Sequence, residues 1–539
     1  MTVNNSATYK QNTALIIVMD GWGIGKGGAD DAIAMANTPN VDALKANHAY
    51  LEIQTHGGYV GLPSMKDMGG SEVGHLTMGA GLILDQGPTR INKAIADGSF
   101  YESDALAQII ERGHQGHAIH LLGLLSDGNI HSHIDHFIAV IRFADQQNVE
   151  RLYIHASLDG RDVGIQSAQD YVGQIEGLFA EINAKENRDY AFASAGGREC
   201  AIMDRDHDWN KVKLGWDAMV LGKAAFQFPS VLEGINAMRE AHTNLIDQDM
   251  EMFVIVDDKG QPKATINDGD AVLMMNFRGD RAIEITEPFV IEDFAGFDRE
   301  KAPQVLYAGM MVYDEDRDMP TLQVMGPTKV DYPLGRYLVD KKIKQFRLTE
   351  TQKFPHVTFF FNGGYRAPLD ASLEDYILID SDKGVSFADK PEMKAAEIAE
   401  KAVALINSGK YGFGLINFAN ADMVGHCGKI EPAIKAVEAV DKAVGQIIAA
   451  LQQTGGSAII TADHGNAEEM VTHKANGESE ACTKHSVNPV PCILFKAEGK
   501  YALNAKVAQK AGLANLASTV CDMLDIDTPP GLEPSLLVS

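Results

Sequence analysis

Short, unbroken apolar runs recur along this chain, each closed by a polar turn. Ala14–Met19, Ala118–Gly123, Arg151–His155, Ala271–Asn276, Gly414–Phe418 and Ser457–Thr461 are the clearest. A run of this length without alternation predicts a strand covered on both faces. Between the runs, apolar residues return every three or four positions. Ile434, Val437, Val440, Val444, Ile447, Ile448 and Leu451 form one such stripe, with Pro432 near its start and Gly455 and Gly456 after its end. Ile398, Ala402, Leu405 and Ile406 form another before Gly409. Proline at the start and glycine after the end are helix punctuation. Strands alternating with helices predict an α/β fold with largely parallel sheets. In such sheets ligands bind at the carboxyl ends of strands.

Composition narrows the class. A chain of 539 residues predicts two or more domains, at roughly 100–200 residues each. The 45% hydrophobic content is enough to build their cores. A formal net charge of -27 opposes binding to nucleic acid and to anionic membranes. A phosphorylated substrate would need a local basic pocket. The acidic surplus suits divalent cations, although solubility alone also accounts for it. Five cysteines without CxxC spacing fit reduced thiols. The run Ala14–Met19 is too short for a signal or a membrane span, and no other run approaches one. The expectation is a soluble cytoplasmic protein with neither nucleic-acid nor membrane partners.

The candidate chemistry collects at strand ends. Asp20 closes the first run, and Asp463 and His464 close the last. Asp422 and His426 follow the run at 414–418, and their spacing of four puts both on one face of a helical turn. His485 lies a little further on. Carboxylate and imidazole without thiolate suit Mn²⁺, Mg²⁺ or Zn²⁺, with Mn²⁺ the natural compromise between oxygen and nitrogen donors. Six such ligands exceed the needs of one tetrahedral site. Two metals clamping an in-line phosphoryl displacement is the economical reading. Ser71, after Gly69 and Gly70 and before a helix-like run, is the candidate nucleophile. Singly, these residues have plainer readings: a helix cap, a turn, a chance spacing. Their joint placement at strand ends is what favours chemistry.

Asp20 and Ser71 are near the start of the chain, whereas the other ligands lie beyond residue 420. If they meet, the segment between them is an insertion in a discontinuous domain. Two Gly-Pro-Thr stretches, at 87–89 and 326–328, mark the crossings. The expected division is 1–86 and 327–539 for the metal domain and 87–326 for the inserted substrate domain. The insertion carries basic residues near strand ends: Arg161 beside Asp162, Arg198, Arg205, and Arg278 with Arg281. Arginine forks suit phosphate and carboxylate oxygens, but nearby aspartates make ordinary ion pairs an equal reading. His131, His133 and His136 could suggest a further metal; local hydrogen bonding is the preferred reading. Lys353 precedes a strand-like run, Val357–Phe361.

The chain resembles the cofactor-independent phosphoglycerate mutases of the alkaline phosphatase superfamily. The stretches SEVGH, HSH, DGRD, MDRD, NFRGDR, HVTFFFNGG, DMVGH, TADHGNAE and NPVP occur in order over nearly the whole length. The resemblance implies an alkaline-phosphatase-like domain holding two divalent ions, Mn²⁺ or in some members Mg²⁺, interrupted by a substrate domain. It places Asp422, His426 and His485 on one ion and Asp20, Ser71, Asp463 and His464 on the other. It gives substrate contacts to His131, Arg161, Asp162, Arg198, Arg205, Arg278, Arg281 and Lys353. The implied reaction interconverts 3-phosphoglycerate and 2-phosphoglycerate through a phosphoserine, without a bisphosphoglycerate cofactor, in a monomer. Ser71, Lys353 and Asp162 would be catalytic, Asp162 as an acid or base. A metal-dependent phosphatase or another phosphomutase is the alternative, and a non-catalytic binding protein a further one. The family's Asn before the nucleophile is Gly70 here, its Gly-Arg-Tyr-Tyr reads as Gly197-Arg-Glu-Cys200 with one extra residue before Asp204, and its Ala between the two arginines is Gly279. Beside Lys353, its Glu-Lys-Tyr-Ala reads Gln352-Lys-Phe-Pro355.

Overall fold

Every side chain of strand Ala14–Met19 is buried, as its unbroken apolar run predicts. The strand sits inside a seven-stranded sheet, paired in parallel with Phe413–Phe418 and Ser457–Thr461. These are features of a computed structural model that describes residues 13–200, 202–203, 208–314, 317–326, 330–473 and 479–538. Across the sheet the strands run Glu374–Ile379, Gln345–Glu350, Phe413–Phe418, Ala14–Met19, Ser457–Thr461, Val490–Lys496 and Ala49–Ile53. The first five run parallel, Val490–Lys496 runs antiparallel to them, and Ala49–Ile53 is antiparallel to Val490–Lys496 and so runs in the direction of the first five. Helix Ile430–Thr454 buries Val437, Val440, Val444, Ile447 and Leu451. Pro432 lies in its first turn, where a missing N–H costs no helical bond. Gly455 ends it in the left-handed conformation.

The chain divides into two compact units, Met1–Gln86 with Thr328–Ser539, and Gly87–Pro327. The second unit has its own seven-stranded sheet, in the order Phe226–Phe228, Phe253–Ile255, Asp189–Gly197, Arg151–Leu158, Ile119–Leu125, Ala271–Met274 and Leu306–Gly309. Only the pairing of Asp189–Gly197 with Phe253–Ile255 is antiparallel. Each unit packs its own apolar cluster around its sheet. The fold is thus α/β with two largely parallel sheets.

One local expectation is corrected. The run Val357–Phe361 is not a strand but part of a wide helical turn, His356–Phe360. Backbone bonds span five residues, from Phe361 N–H to His356 O at 3.2 Å and from Gly364 N–H to Phe359 O at 2.9 Å. Val357 and Phe361 are four apart, and both are fully buried. Helical spacing thus serves the core here despite β-branched and aromatic composition. The Thr358 hydroxyl also donates to Phe354 O at 2.6 Å. The Gly-Pro-Thr stretch at 87–89 opens helix Gly87–Asp97, and the second compact unit begins at the same residue. Pro88 fits there because a first-turn N–H needs no partner. Pro327 and Thr328, in the other Gly-Pro-Thr stretch, lie outside the described residues.

Candidate metal centre

Parallel pairing brings the ligands together. Met19 pairs with Phe418 and Val18 with Thr461, so three strands end at one edge with Asp20, the Asp422 segment and Asp463 just beyond. Gly21 lets two of these ends close up. Its φ is +75°, and a Cβ there would stand 2.7 Å from the Asp422 backbone. The Asp422 N–H donates to Asp20 O at 3.1 Å.

Two groups of ligand atoms result: Asp422, His426 and His485, and Asp20, Asp463 and His464. In the first, Asp422 Oδ1 lies 3.1 Å from His426 Nε2 and 3.2 Å from His485 Nε2. The two imidazole Nε2 atoms are 3.2 Å apart. His426 Nδ1 bonds Thr483 O, and His485 Nδ1 bonds Gly69 O, both at 2.8 Å. A carbonyl only accepts, so each Nδ1 carries the proton and each Nε2 presents a lone pair to the centre. This is the arrangement of metal-ligating histidines. In the second group, His464 Nε2 lies 3.5 Å from Asp20 Oδ1 and 3.7 Å from Asp463 Oδ2. Burial, and then the nearby His485, push His464 down to about 3. It is a neutral donor at physiological pH. The donor sets fit divalent cations that accept both oxygen and nitrogen.

Ser71 opens helix Ser71–Ala80, just after Gly70. Its Oγ lies 3.0 Å from His464 Nε2, 3.3 Å from Asp20 Oδ1 and 2.6 Å from Lys353 Nζ. Gly69 is required on steric grounds, because a Cβ there would come within 2.0 Å of Thr55 O. Gly70 is not: its φ is −159°, and a Cβ would make ordinary contact with His485 at 3.6 Å. Lys353 Nζ also donates to Asp20 Oδ1 at 2.9 Å and Asp422 Oδ2 at 2.7 Å. Burial alone would neutralise this lysine, but Asp20, Asp422 and Asp463 hold its ammonium form far above the ordinary value. Burial, and then the Asp463 charge, raise Asp20. Burial also opposes ionisation of Asp422, yet the Lys353 ammonium beside it keeps it well below the ordinary carboxylate range.

The second unit gathers most of the other candidates. Asp159, Arg161, Asp162 and Arg198 follow its strands Arg151–Leu158 and Asp189–Gly197. Arg198 is fully buried and pairs with Asp159 at 2.7 Å and Asp162 at 2.5 Å. Its position is that of a brace for the loop 159–162. Arg161 is half-exposed and meets Glu199 at 2.9 Å. Arg281 is buried and donates to Met203 O at 2.8 Å. Arg278 is exposed beside Asp280 at 3.2 Å. His131 lies between Asp280 at 3.5 Å and Asp162 at 4.0 Å. Arg205 lies outside the described residues.

The neighbouring histidines work locally. His133 accepts the Asp135 N–H as a helix cap, and His136 Nε2 bonds Asn92 Oδ1 at 2.8 Å. Burial, with a smaller push from His133, takes His136 from 6.5 down to about 3. The unfolded chain binds this proton near 6.5 and the folded chain only near 3. Stability from this group is therefore complete above about pH 6.5 and is lost as pH falls toward 3. The expected loss at pH 5 is about 2 kcal/mol. Urea unfolding at about pH 7 and pH 5 checks this, and His136→Gln, which keeps an amide donor for Asn92, should flatten the decline.

Three buried groups beside the ligands escaped sequence reasoning. Asn417 Nδ2 donates to Asp20 Oδ2 at 2.7 Å and lies 3.2 Å from His75 Nε2. His75 Nδ1 is 3.5 Å from Asp463 Oδ2 and bonds Ser71 O at 2.8 Å. Glu468 accepts from the loops around it. The available signal for Asn417 was a lone amide inside an apolar strand, since buried polar groups need partners.

A family model described as the Metalloenzyme superfamily matches residues 12–528. The 2,3-bisphosphoglycerate-independent phosphoglycerate mutase of Zea mays is 40% identical over 544 residues, covering 98% of this chain and 96% of that protein. A protein of Leptospira interrogans described as a probable 2,3-bisphosphoglycerate-independent phosphoglycerate mutase is 40% identical over 549 residues, covering 100% and 99%. The crystal structure of Leishmania mexicana phosphoglycerate mutase at low cobalt concentration aligns with a TM-score of 0.73 at 39% identity, covering 98% of each chain. Fold and site thus define a metalloenzyme of that superfamily. Within it, the chain belongs to the 2,3-bisphosphoglycerate-independent phosphoglycerate mutases, isomerases that depend on divalent metal and use no bisphosphoglycerate.

Proposed function

We propose that this chain interconverts 3-phosphoglycerate and 2-phosphoglycerate, in glycolysis and gluconeogenesis, through a phosphoserine at Ser71. The observation that carries the reading is the buried Ser71 hydroxyl, 2.6 Å from an ammonium group and 3.0 Å from His464, at a helix N-terminus. Ser71 gives up its hydroxyl proton and its Oγ attacks phosphorus in line as the substrate's P–O bond breaks. The glycerate oxygen that leaves takes up a proton. The other hydroxyl of glycerate then attacks the phosphoserine, gives up its proton, and restores Ser71. Lys353 stabilises charge on the transferring group and on the serine oxygen.

Divalent ions held by Asp422, His426 and His485 and by Asp20, Ser71, Asp463 and His464 would make the serine hydroxyl more acidic and polarise the phosphoryl oxygens. Mn²⁺ matches the mixed donors best, with Mg²⁺ the alternative. His131, Arg161, Arg278 and Arg281, with Arg205, would hold the substrate's oxyanions in the inserted substrate domain, and Asp162 would exchange protons with the glycerate hydroxyls. The pairing of Arg198 with Asp159 and Asp162 supports a role in holding Asp162 in place. The proposed assembly is a monomer. Five free thiols support a cytoplasmic setting.

The Mn²⁺-loaded protein is expected to convert 3-phosphoglycerate to 2-phosphoglycerate without free phosphate. Stoichiometric phosphate release would replace the mutase with a phosphatase. Dialysis against a chelator should lower turnover by at least about 100-fold, and Mn²⁺ should restore it.

A further inference from the structure

Glu468 belongs to neither ligand group, yet it lies buried among the segments that carry them. Its Oε2 accepts the N–H groups of Gly23 at 3.1 Å and Asn466 at 2.8 Å. Its Oε1 accepts the Ser486 hydroxyl and, at 3.0 Å, the Asn488 side-chain amide. The four donors come from three separate segments. Gly23 follows Asp20 closely, Asn466 follows His464, and Ser486 adjoins His485.

The packing leaves no slack. A Cβ at Gly23 would come within 2.2 Å of the Glu468 carboxyl carbon, and one at Gly465 within 2.3 Å of its Oε1. The Ser486 N–H also donates to Gly465 O at 3.0 Å. Asn466, whose N–H Glu468 holds, donates its own amide to Asp422 Oδ1 at 2.9 Å. One carboxylate therefore reaches the Asp20, Asp463–His464 and His485 segments directly, and Asp422 through one residue. Hydrogen bonds to an ionised acceptor are short and strong, and they resist displacement of the donor.

We infer that Glu468 is the positioning residue for both metal groups, setting the spacing of ligands that come from distant parts of the chain. The inference rests on the metal-site reading above. Outer groups that orient ligands typically change metal affinity by about 10- to 100-fold when altered. Glu468→Asp keeps the charge but loses one methylene of reach, so it cannot hold all three segments. Glu468→Gln keeps the reach and loses the charge.

The test compares Mn²⁺ affinity, by electron paramagnetic resonance of free Mn²⁺, for the full-length wild type, both variants and Ser486→Ala. The melting temperature of each in chelator is measured alongside. Glu468→Asp is expected to weaken Mn²⁺ binding by about 10- to 100-fold and Glu468→Gln by less, with turnover recovering as Mn²⁺ is raised. Wild-type affinity in both variants, with only the metal-free melting temperature lowered, overturns the inference and leaves Glu468 a fold-stabilising group. If Glu468→Asp does not fold, Glu468→Gln and Ser486→Ala are judged by the same criterion. A wild-type protein that binds no Mn²⁺ overturns the metal-site reading and this inference with it.

Discussion

Ser71→Ala is expected to lower turnover at saturating Mn²⁺ and substrate by at least about 10⁴-fold, the scale seen when a covalent nucleophile is removed. The protein should remain folded. Ser71 makes no helix cap, since the cap position is Gly70 and no side-chain cap bond forms there. Lys353 keeps Asp20 at 2.9 Å and Asp422 at 2.7 Å when the hydroxyl is gone. Stability should therefore change by no more than about 1 kcal/mol. A coupled assay for 2-phosphoglycerate, together with the unfolding midpoint, separates the two effects. Turnover within tenfold of wild type would rule out the phosphoserine route.

Lys353→Met should lower turnover by about 10³-fold in the metal-saturated enzyme, because it removes a donor aimed at the reacting oxygen. Its second effect is on the fold. Asp20, Asp422 and Asp463 are buried together, and Lys353 is the cation they share. Removing one partner of a buried ion pair costs about 3–5 kcal/mol. The metal-free variant should therefore unfold at a lower urea concentration, and saturating Mn²⁺ should recover much of the difference. Lys353→Arg should not rescue turnover, because a planar fork cannot take the place of a compact ammonium between two carboxylates and a hydroxyl. An unchanged midpoint in chelator would show that the carboxylates find another way to relax.

Much of this architecture is legible in the sequence, for one reason. Strands buried on both faces must be apolar throughout, so Ala14–Met19 and Ser457–Thr461 announce themselves, and the residues just past them stand out as polar. Asp20, Asp463 and His464 stand out on that ground and Asp422 by its spacing of four from His426, and it is their joint placement that favours chemistry. The local rule fails where tertiary contacts select the conformation. Val357–Phe361 has the composition of a strand, but burial of Val357 and Phe361 on one face makes it helical. The fully buried Arg347 adds to that choice. Its guanidinium lies over the Phe361 ring and bonds Asn362 at 3.2 Å and Glu374 at 2.7 Å, so it fastens the end of the segment that carries Lys353. Arg198 shows the same limit. Nothing in Gly197-Arg-Glu-Cys200 reveals that its guanidinium is buried between two aspartates.

By itself, the sequence determined which side chains could do chemistry and the strand ends from which they would project. Hydrophobic periodicity is a local property that any folded state must respect. The tertiary structure decided the rest: that residues more than three hundred positions apart bond within a few ångströms, as Lys353 and Asp20 do at 2.9 Å, which ring nitrogens are free, and which carboxylate holds the others in place. Those outcomes depend on strand order and register, and on competition among buried polar groups for a limited number of partners. No stretch of chain contains that information alone.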